Sequence, residues 1–247
     1  MTRLVLVPGI QGRWEYMQPT VEALSKRFDV GTFSLRADAR SLDDYVGQIT
    51  DDLERHRVEG AVICGISFGG LVALRFAATH ASRARALVLA STPAPDVTLR
   101  PRHRLYVRMP SIFGPLFLIE TPWRLRAEIA AAFPHRRDRV AFRRQALRIF
   151  RSAPISFSQM AARALLMTSE KLEADCANVT APTLVVTGER ELDHVVPVDG
   201  SNAYTRLIHG ARGAVIERTG HLGVITRPDA FANLVCGFVD GLHDAAA

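Results

Sequence analysis

A chain of 247 residues, 48% hydrophobic and 23% charged, can bury one sizeable core, which excludes a disordered, fibrous or disulfide-stapled protein. Its net charge of +6 and pI near 9.8 rest on arginine, since Lys26 and Lys171 are the only lysines, so the sum is weak evidence for a nucleic-acid or membrane partner. The basic character is local: from Arg100 to Arg151, thirteen arginines face three acids, Glu120, Glu128 and Asp138, a net of +10 that leaves −4 for the rest.

Leu4-Val5-Leu6-Val7 is a short apolar run ending in Pro8-Gly9, the pattern of a strand buried on both faces of a parallel sheet. That break comes too soon for a signal-peptide core, and no run approaches a membrane span in length. Cys64, Cys176 and Cys236 are odd in number and lack paired metal-ligand spacing, so they read as reduced thiols of a cytoplasmic protein.

A helix is expected near Met17 to Lys26 and a second strand around Gly31 to Leu35. Ser41-Leu42-Asp43-Asp44 has capping-box spacing and opens a helix running to about His56. Ala61-Val62-Ile63-Cys64 is a third strand that enters Gly65-Ile66-Ser67-Phe68-Gly69-Gly70 and then an apolar helical segment, Leu71 to Thr79. Ala86 to Ala90 and Thr183 to Val186 supply the next strands, with an insertion between them. Ala214-Val215-Ile216 is the sixth strand. Thr226-x-Pro228-Asp229 starts a last helix with Phe231, Leu234, Val235, Phe238 and Leu242 on one face, and His243 to Ala247 form an expected frayed tail. Strands alternating with helices imply an α/β fold, a mostly parallel twisted sheet with helices on both faces.

Three places carry chemistry. Gly65-x-Ser67-x-Gly69 stands between a buried strand and a helix, where a strained turn would expose a serine nucleophile at a helix N-terminus. A serine needs a base, and histidine is the natural one near neutral pH. His221 lies in a turn, Thr219-Gly220-His221-Leu222-Gly223, at the same carboxyl edge of the sheet. For the acid that orients it, Asp193 after the fifth strand is preferred over Glu191. Asp96 after the fourth strand is a further candidate, and His194 beside Asp193 is the rival base.

These residues resemble the α/β-hydrolase family, whose order of nucleophile, acid and histidine matches Ser67, Asp193 and His221. The resemblance implies a core of residues 1–94 and 170–247 with a helical cap at 95–169. It also implies an oxyanion hole made by the backbone N–H groups of Ile10 and Phe68, in a loop that reads Pro8-Gly9 where the family often has His-Gly. The implied activity is hydrolysis of a small ester or thioester through an acyl-enzyme, with no cofactor or metal. The alternatives are a triad-dependent lyase or carbon–carbon bond hydrolase and a slow or non-catalytic ligand-binding protein of the same fold. The apolar stretch Pro110 to Ile119 is expected to pack the cap on the core or to wall an acyl pocket. Arg139, Arg143, Arg144, Arg148 and Arg151 are expected to form a solvated face, the sharper alternative being that one pairs with an anionic substrate. No nucleic-acid partner is expected.

Overall fold

The computed structural model describes the backbone of residues 1–246 and their side chains except those of Phe117 and residues 243–246. The strands are β1 (Thr2–Val7), β2 (Phe28–Thr32), β3 (Ala61–Ile66), β4 (Ala84–Ala90), β5 (Thr183–Thr187) and β6 (Arg212–Val215). They form one sheet in the order β2-β1-β3-β4-β5-β6, and every neighbouring pair is parallel.

The helices are α1 (Gln18–Leu24), α2 (Leu42–Arg55), α3 (Phe68–Thr79), α4 (Pro101–Arg108), α5 (Pro110–Arg124), α6 (Arg126–Ala132), α7 (Arg136–Ser152), α8 (Phe157–Ser169), α9 (Glu173–Asn178), α10 (Val198–Asn202), α11 (Tyr204–Leu207), α12 (Gly223–Thr226) and α13 (Pro228–Ala246). Successive strand side chains point to opposite faces, so Val5, Val7, Ile63, Leu87 and Val185 join one buried cluster with Leu53, Phe68 and Leu71. Leu4, Leu6, Val62, Val88 and Val186 join another with Leu24, Phe231 and Val235. Both sheet faces are thereby covered, and the strands are continuous apolar runs for that reason.

Several boundaries differ from the sequence reading, among them β6, which spans Arg212–Val215 where hydropathy points to Ala214 to Ile216, and α3, which starts at Phe68 and not Leu71. β2 starts at Phe28, three residues before Gly31, and stops at Thr32, because Arg3 on β1 pairs with Asp29 at 2.9 Å and holds Asp52 of α2 through Nε and Nη2. A carboxylate partnered in this way belongs in a strand that hydropathy alone would start later. The expected frayed tail is helical backbone as far as Ala246, while Ala247 and the side chains from His243 onward lie outside the described residues. The capping box of α2 is present: Ser41 Oγ accepts from the Asp44 N–H, and Asp44 accepts from the Ser41 N–H.

Helices α4 to α8 fill the interval between β4 and β5. The Pro110 to Ile119 stretch is helix α5, and it turns much of its apolar surface outward. Ile112, Leu116, Ile119 and Trp123 are 59%, 44%, 72% and 77% exposed. At about 100° per residue these four share one sector of the helix, opposite Gly114. Gly114 is buried against Phe157 of α8, where a Cβ would collide with the ring. The stretch packs through Gly114 and through Phe113, whose ring stacks on Tyr106 of α4 with centroids 6.4 Å apart. α7 has no fully buried residue, and Arg143, Arg144, Arg148 and Arg151 are exposed.

Candidate active site

β3 runs into Ser67, whose backbone sits at φ 53°, ψ −119°, a conformation that costs a non-glycine residue roughly 1–3 kcal/mol. The surroundings hold it there. The Ser67 N–H donates to Ala90 O at 2.8 Å and the Gly70 N–H donates to Ser67 O at 2.9 Å. A Cβ on Gly65 would run into the Gly69 backbone, and one on Gly69 would run into the carbonyls of Val7 and Pro8. The turn is possible only with glycine on both sides of the serine. Gly69→Ala is accordingly expected to destabilise the fold by about 3 kcal/mol, since backbone cannot yield as a side chain can. In a chain of this size that corresponds to a Tm lower by roughly 6–12 °C, readable by calorimetry, and an unchanged Tm would contradict the packing described. α3 starts at Phe68, so the Phe68 N–H is among the helix's unpaired N-terminal donors. Burial drives the nearby Cys64 thiol far above its ordinary pKa, which leaves it an inert core residue.

The segment after β1 lies against this turn: a Cβ on Gly9 would stand 3.5 Å from Ser67 Cβ. It folds back through Gly12, at φ 70°, whose N–H donates to Gly9 O at 2.8 Å. Its brace comes from α8. Arg163 is 1% exposed and donates from Nη1 to Ile10 O at 3.0 Å, from Nη2 to Leu35 O and Gln159 Oε1, and from Nε to the Tyr45 hydroxyl. Its guanidinium occupies the space that a Cβ on Gly12 would take. All four of these partners are neutral oxygens, so a buried cation stands behind the Ile10 loop.

The segments after β5 and β6 meet backbone to backbone. Cβ atoms on Gly188 or Gly220 would strike the opposite loop, and the Glu189 N–H donates to Thr219 O at 2.8 Å. This contact puts Asp193 beside His221, with Oδ2 3.4 Å from Nδ1, an ion-pair contact in which Nδ1 makes no well-formed hydrogen bond. Asp193 Oδ1 accepts the N–H groups of Val195 and Val196, each at 2.9 Å, leaving Oδ2 to face the imidazole. The Asp193 side chain is 2% exposed and that of His221 13%. Burial pushes the Asp193 carboxyl up, but the contact with His221, its charge and the two N–H groups outweigh it and hold the carboxyl below its ordinary value. Glu191 and Asp96 are exposed, and no hydrogen bond or ion pair to His221 is formed by either. His194 is exposed and its carbonyl accepts from Arg124 Nη2 at 2.7 Å.

Residues of the inserted helices thus reach all three segments: Arg124 the loop of Asp193, Arg163 that of Ile10, and Glu128 of α6 that of His221, where it accepts from Thr219 and from the N–H groups of Gly220 and Leu222. Sequence reading passed over Glu128 and Arg163. The one available signal was their occurrence, as charged residues, among apolar neighbours on helices.

No helix among the described residues is long and apolar enough to cross a membrane. The sequence profile described as the alpha/beta hydrolase family matches residues 4–234. The 3-oxoadipate enol-lactonase 1 of Acinetobacter baylyi is 25% identical over 259 residues, spanning 94% of this chain and 85% of that protein. The crystal structure of the enol-lactonase from Burkholderia xenovorans superimposes with a TM-score of 0.76 at 21% identity, covering 97% of this chain and 91% of that one. An esterase from Exiguobacterium antarcticum gives 0.77 at 18% identity, covering 97% and 92%.

Proposed function

The chain belongs to the alpha/beta hydrolase family, and from that membership we propose that it is a serine hydrolase of small carboxylic esters, thioesters or lactones. In this reading Ser67 is the nucleophile, His221 the general base and Asp193 the acid that orients it. Ser67 Oγ attacks the carbonyl carbon as His221 takes its proton. The N–H groups of Ile10 and Phe68 receive the negative charge that develops on the carbonyl oxygen. Collapse of the tetrahedral intermediate expels the alcohol or thiol, protonated by His221. Water, deprotonated by the same imidazole, then attacks the acyl-enzyme and frees Ser67.

The observation that carries this reading is the joint geometry of the strained Ser67 turn and the Asp193–His221 pair. A half-buried serine on a strained turn and a buried carboxylate facing a histidine are what acyl transfer needs. The names of the relatives, enol-lactonase and esterase, support the substrate class. Helices α4 to α8, within residues 95–169, act as a cap over a core of residues 1–94 and 170–247. Arg143, Arg144, Arg148 and Arg151 of α7 face solvent, and half-buried Arg139 donates to the Phe133 and Pro134 carbonyls, so these arginines lend no support to an anionic-substrate preference. The spaced, reduced cysteines suit a cytoplasmic enzyme.

A fluorophosphonate probe followed by peptide mass spectrometry, run beside a panel of p-nitrophenyl esters and lactones, tests the proposal. Modification of Ser67 with turnover of at least one class is expected. Labelling without turnover points to lyase or carbon–carbon bond chemistry, and no labelling of the folded protein leaves a ligand-binding role. Arg163 enters here as the brace of the oxyanion loop, standing where family members often use a histidine within the loop itself. Arg163→Met is expected to lower kcat about 10²-fold, the cost of a small misplacement of catalytic groups, with little change in KM. Equal losses in kcat and a rise in KM would mean a general loosening of the fold.

A further inference from the structure

Glu128 is fully buried on α6, and its Oε1 accepts three hydrogen bonds from the turn that bears His221: Thr219 Oγ1 at 3.0 Å, the Gly220 N–H at 2.8 Å and the Leu222 N–H at 2.6 Å. The last two flank His221 on either side. Thr226 ties the turn from behind, with its Oγ1 2.8 Å from Thr219 Oγ1 and 3.0 Å from Leu222 O. Glu128 Oε2 is buried without a hydrogen-bond partner among the described residues. The N–H groups of Gly220 and Leu222 can only donate, so Glu128 Oε1 serves the turn as an acceptor in either protonation state.

We propose that Glu128 is a positioning residue for His221, holding the Thr219 to Leu222 turn from which the imidazole projects. This deepens the proposed hydrolase reading and rests on it. Asp193 faces the ring at Nδ1, 3.4 Å away, whereas Glu128 fixes the backbone on both sides of it. Burial raises the Glu128 carboxyl above its ordinary value, and the N–H groups of Leu222 and Gly220, the Thr219 hydroxyl and His221 offset part of that rise.

Glu128→Gln keeps an acceptor for the turn, whereas Glu128→Ala removes it. In the full chain, kcat on an ester substrate is expected to fall about 10–100-fold in Glu128→Ala with little change in KM, and Glu128→Gln is expected to recover most of that loss. An unchanged kcat in folded Glu128→Ala, or a KM that rises in step with the fall in kcat, overturns the proposal, since a general loosening of the fold weakens substrate binding as well. If Glu128→Ala does not fold, Thr219→Val, which removes one of the three donors, is expected to give a smaller loss of kcat at constant KM, and an unchanged kcat there overturns the proposal. Hydrogen exchange needs no turnover: the Gly220 and Leu222 amides are expected to exchange faster in Glu128→Ala, and that result beside an unaltered chain that hydrolyses no ester would refute the hydrolase reading and leave the Glu128 brace of the turn standing.

Discussion

Ser67→Ala is expected to lower kcat for p-nitrophenyl acetate by about 10⁵–10⁶-fold and to abolish fluorophosphonate labelling. The reasoning is that attack needs an oxygen at the tip of the β3–α3 turn, and nothing nearby can replace it. Cys64 is buried, with its thiol held far from ionisation. The loss should be chemical and not structural, because the Ser67 hydroxyl makes none of the backbone bonds that hold the turn. Those bonds run through its N–H and C=O, which alanine retains. The unfolding free energy is thus expected to stay within about 1 kcal/mol of the unaltered chain's. Retained turnover in a folded Ser67→Ala protein would place the chemistry elsewhere and remove the proposed mechanism.

The second large effect belongs to Asp193→Asn, expected to reduce kcat about 10⁴-fold, the usual consequence of leaving the histidine in the wrong tautomer with no charge to stabilise its protonated form. Glu191→Gln and Asp96→Asn serve as controls, and each is expected to stay near full activity because both carboxylates are exposed. If Glu191→Gln carried the loss instead, the Asp193–His221 pairing would have no catalytic meaning.

The same substitution has a pH signature. The folded protein holds the Asp193 carboxyl below its ordinary value, so Asp193 contributes stability above the unfolded chain's carboxyl pKa of about 3.9. That contribution disappears as pH falls through the lower, folded value. Urea unfolding at pH 7 and near pH 3 should therefore show the stability gap between the unaltered protein and Asp193→Asn closing on acidification. A gap that widened would reverse the assigned direction.

The exposed face of α5 shows how far local pattern can mislead. Pro110 to Ile119 is apolar enough to suggest core, yet its fully buried position among the described residues is Gly114, and Ile112 and Ile119 face outward. Hydropathy records what a side chain prefers and not which side of a helix its neighbours leave open. β2 illustrates the converse, a charged residue that belongs to a strand because Arg3, 26 positions earlier, neutralises it.

The sequence alone determined the six strands, the capped α2 and the Ser67 turn. These are written in short-range terms: runs of apolar residues, a period of 2 or 3.6, and glycines where backbone must approach backbone. Which of Asp193, Glu191 and Asp96 lies beside His221 was left to the tertiary structure, which sets Asp193 there through the Gly188–Gly220 contact between two loops. Glu128 and Arg163 likewise became visible only in three dimensions, since their partners lie 91 and 153 positions away. A buried charge finds its compensation wherever the fold brings oxygen or N–H groups to it, and no periodicity along the chain encodes that meeting.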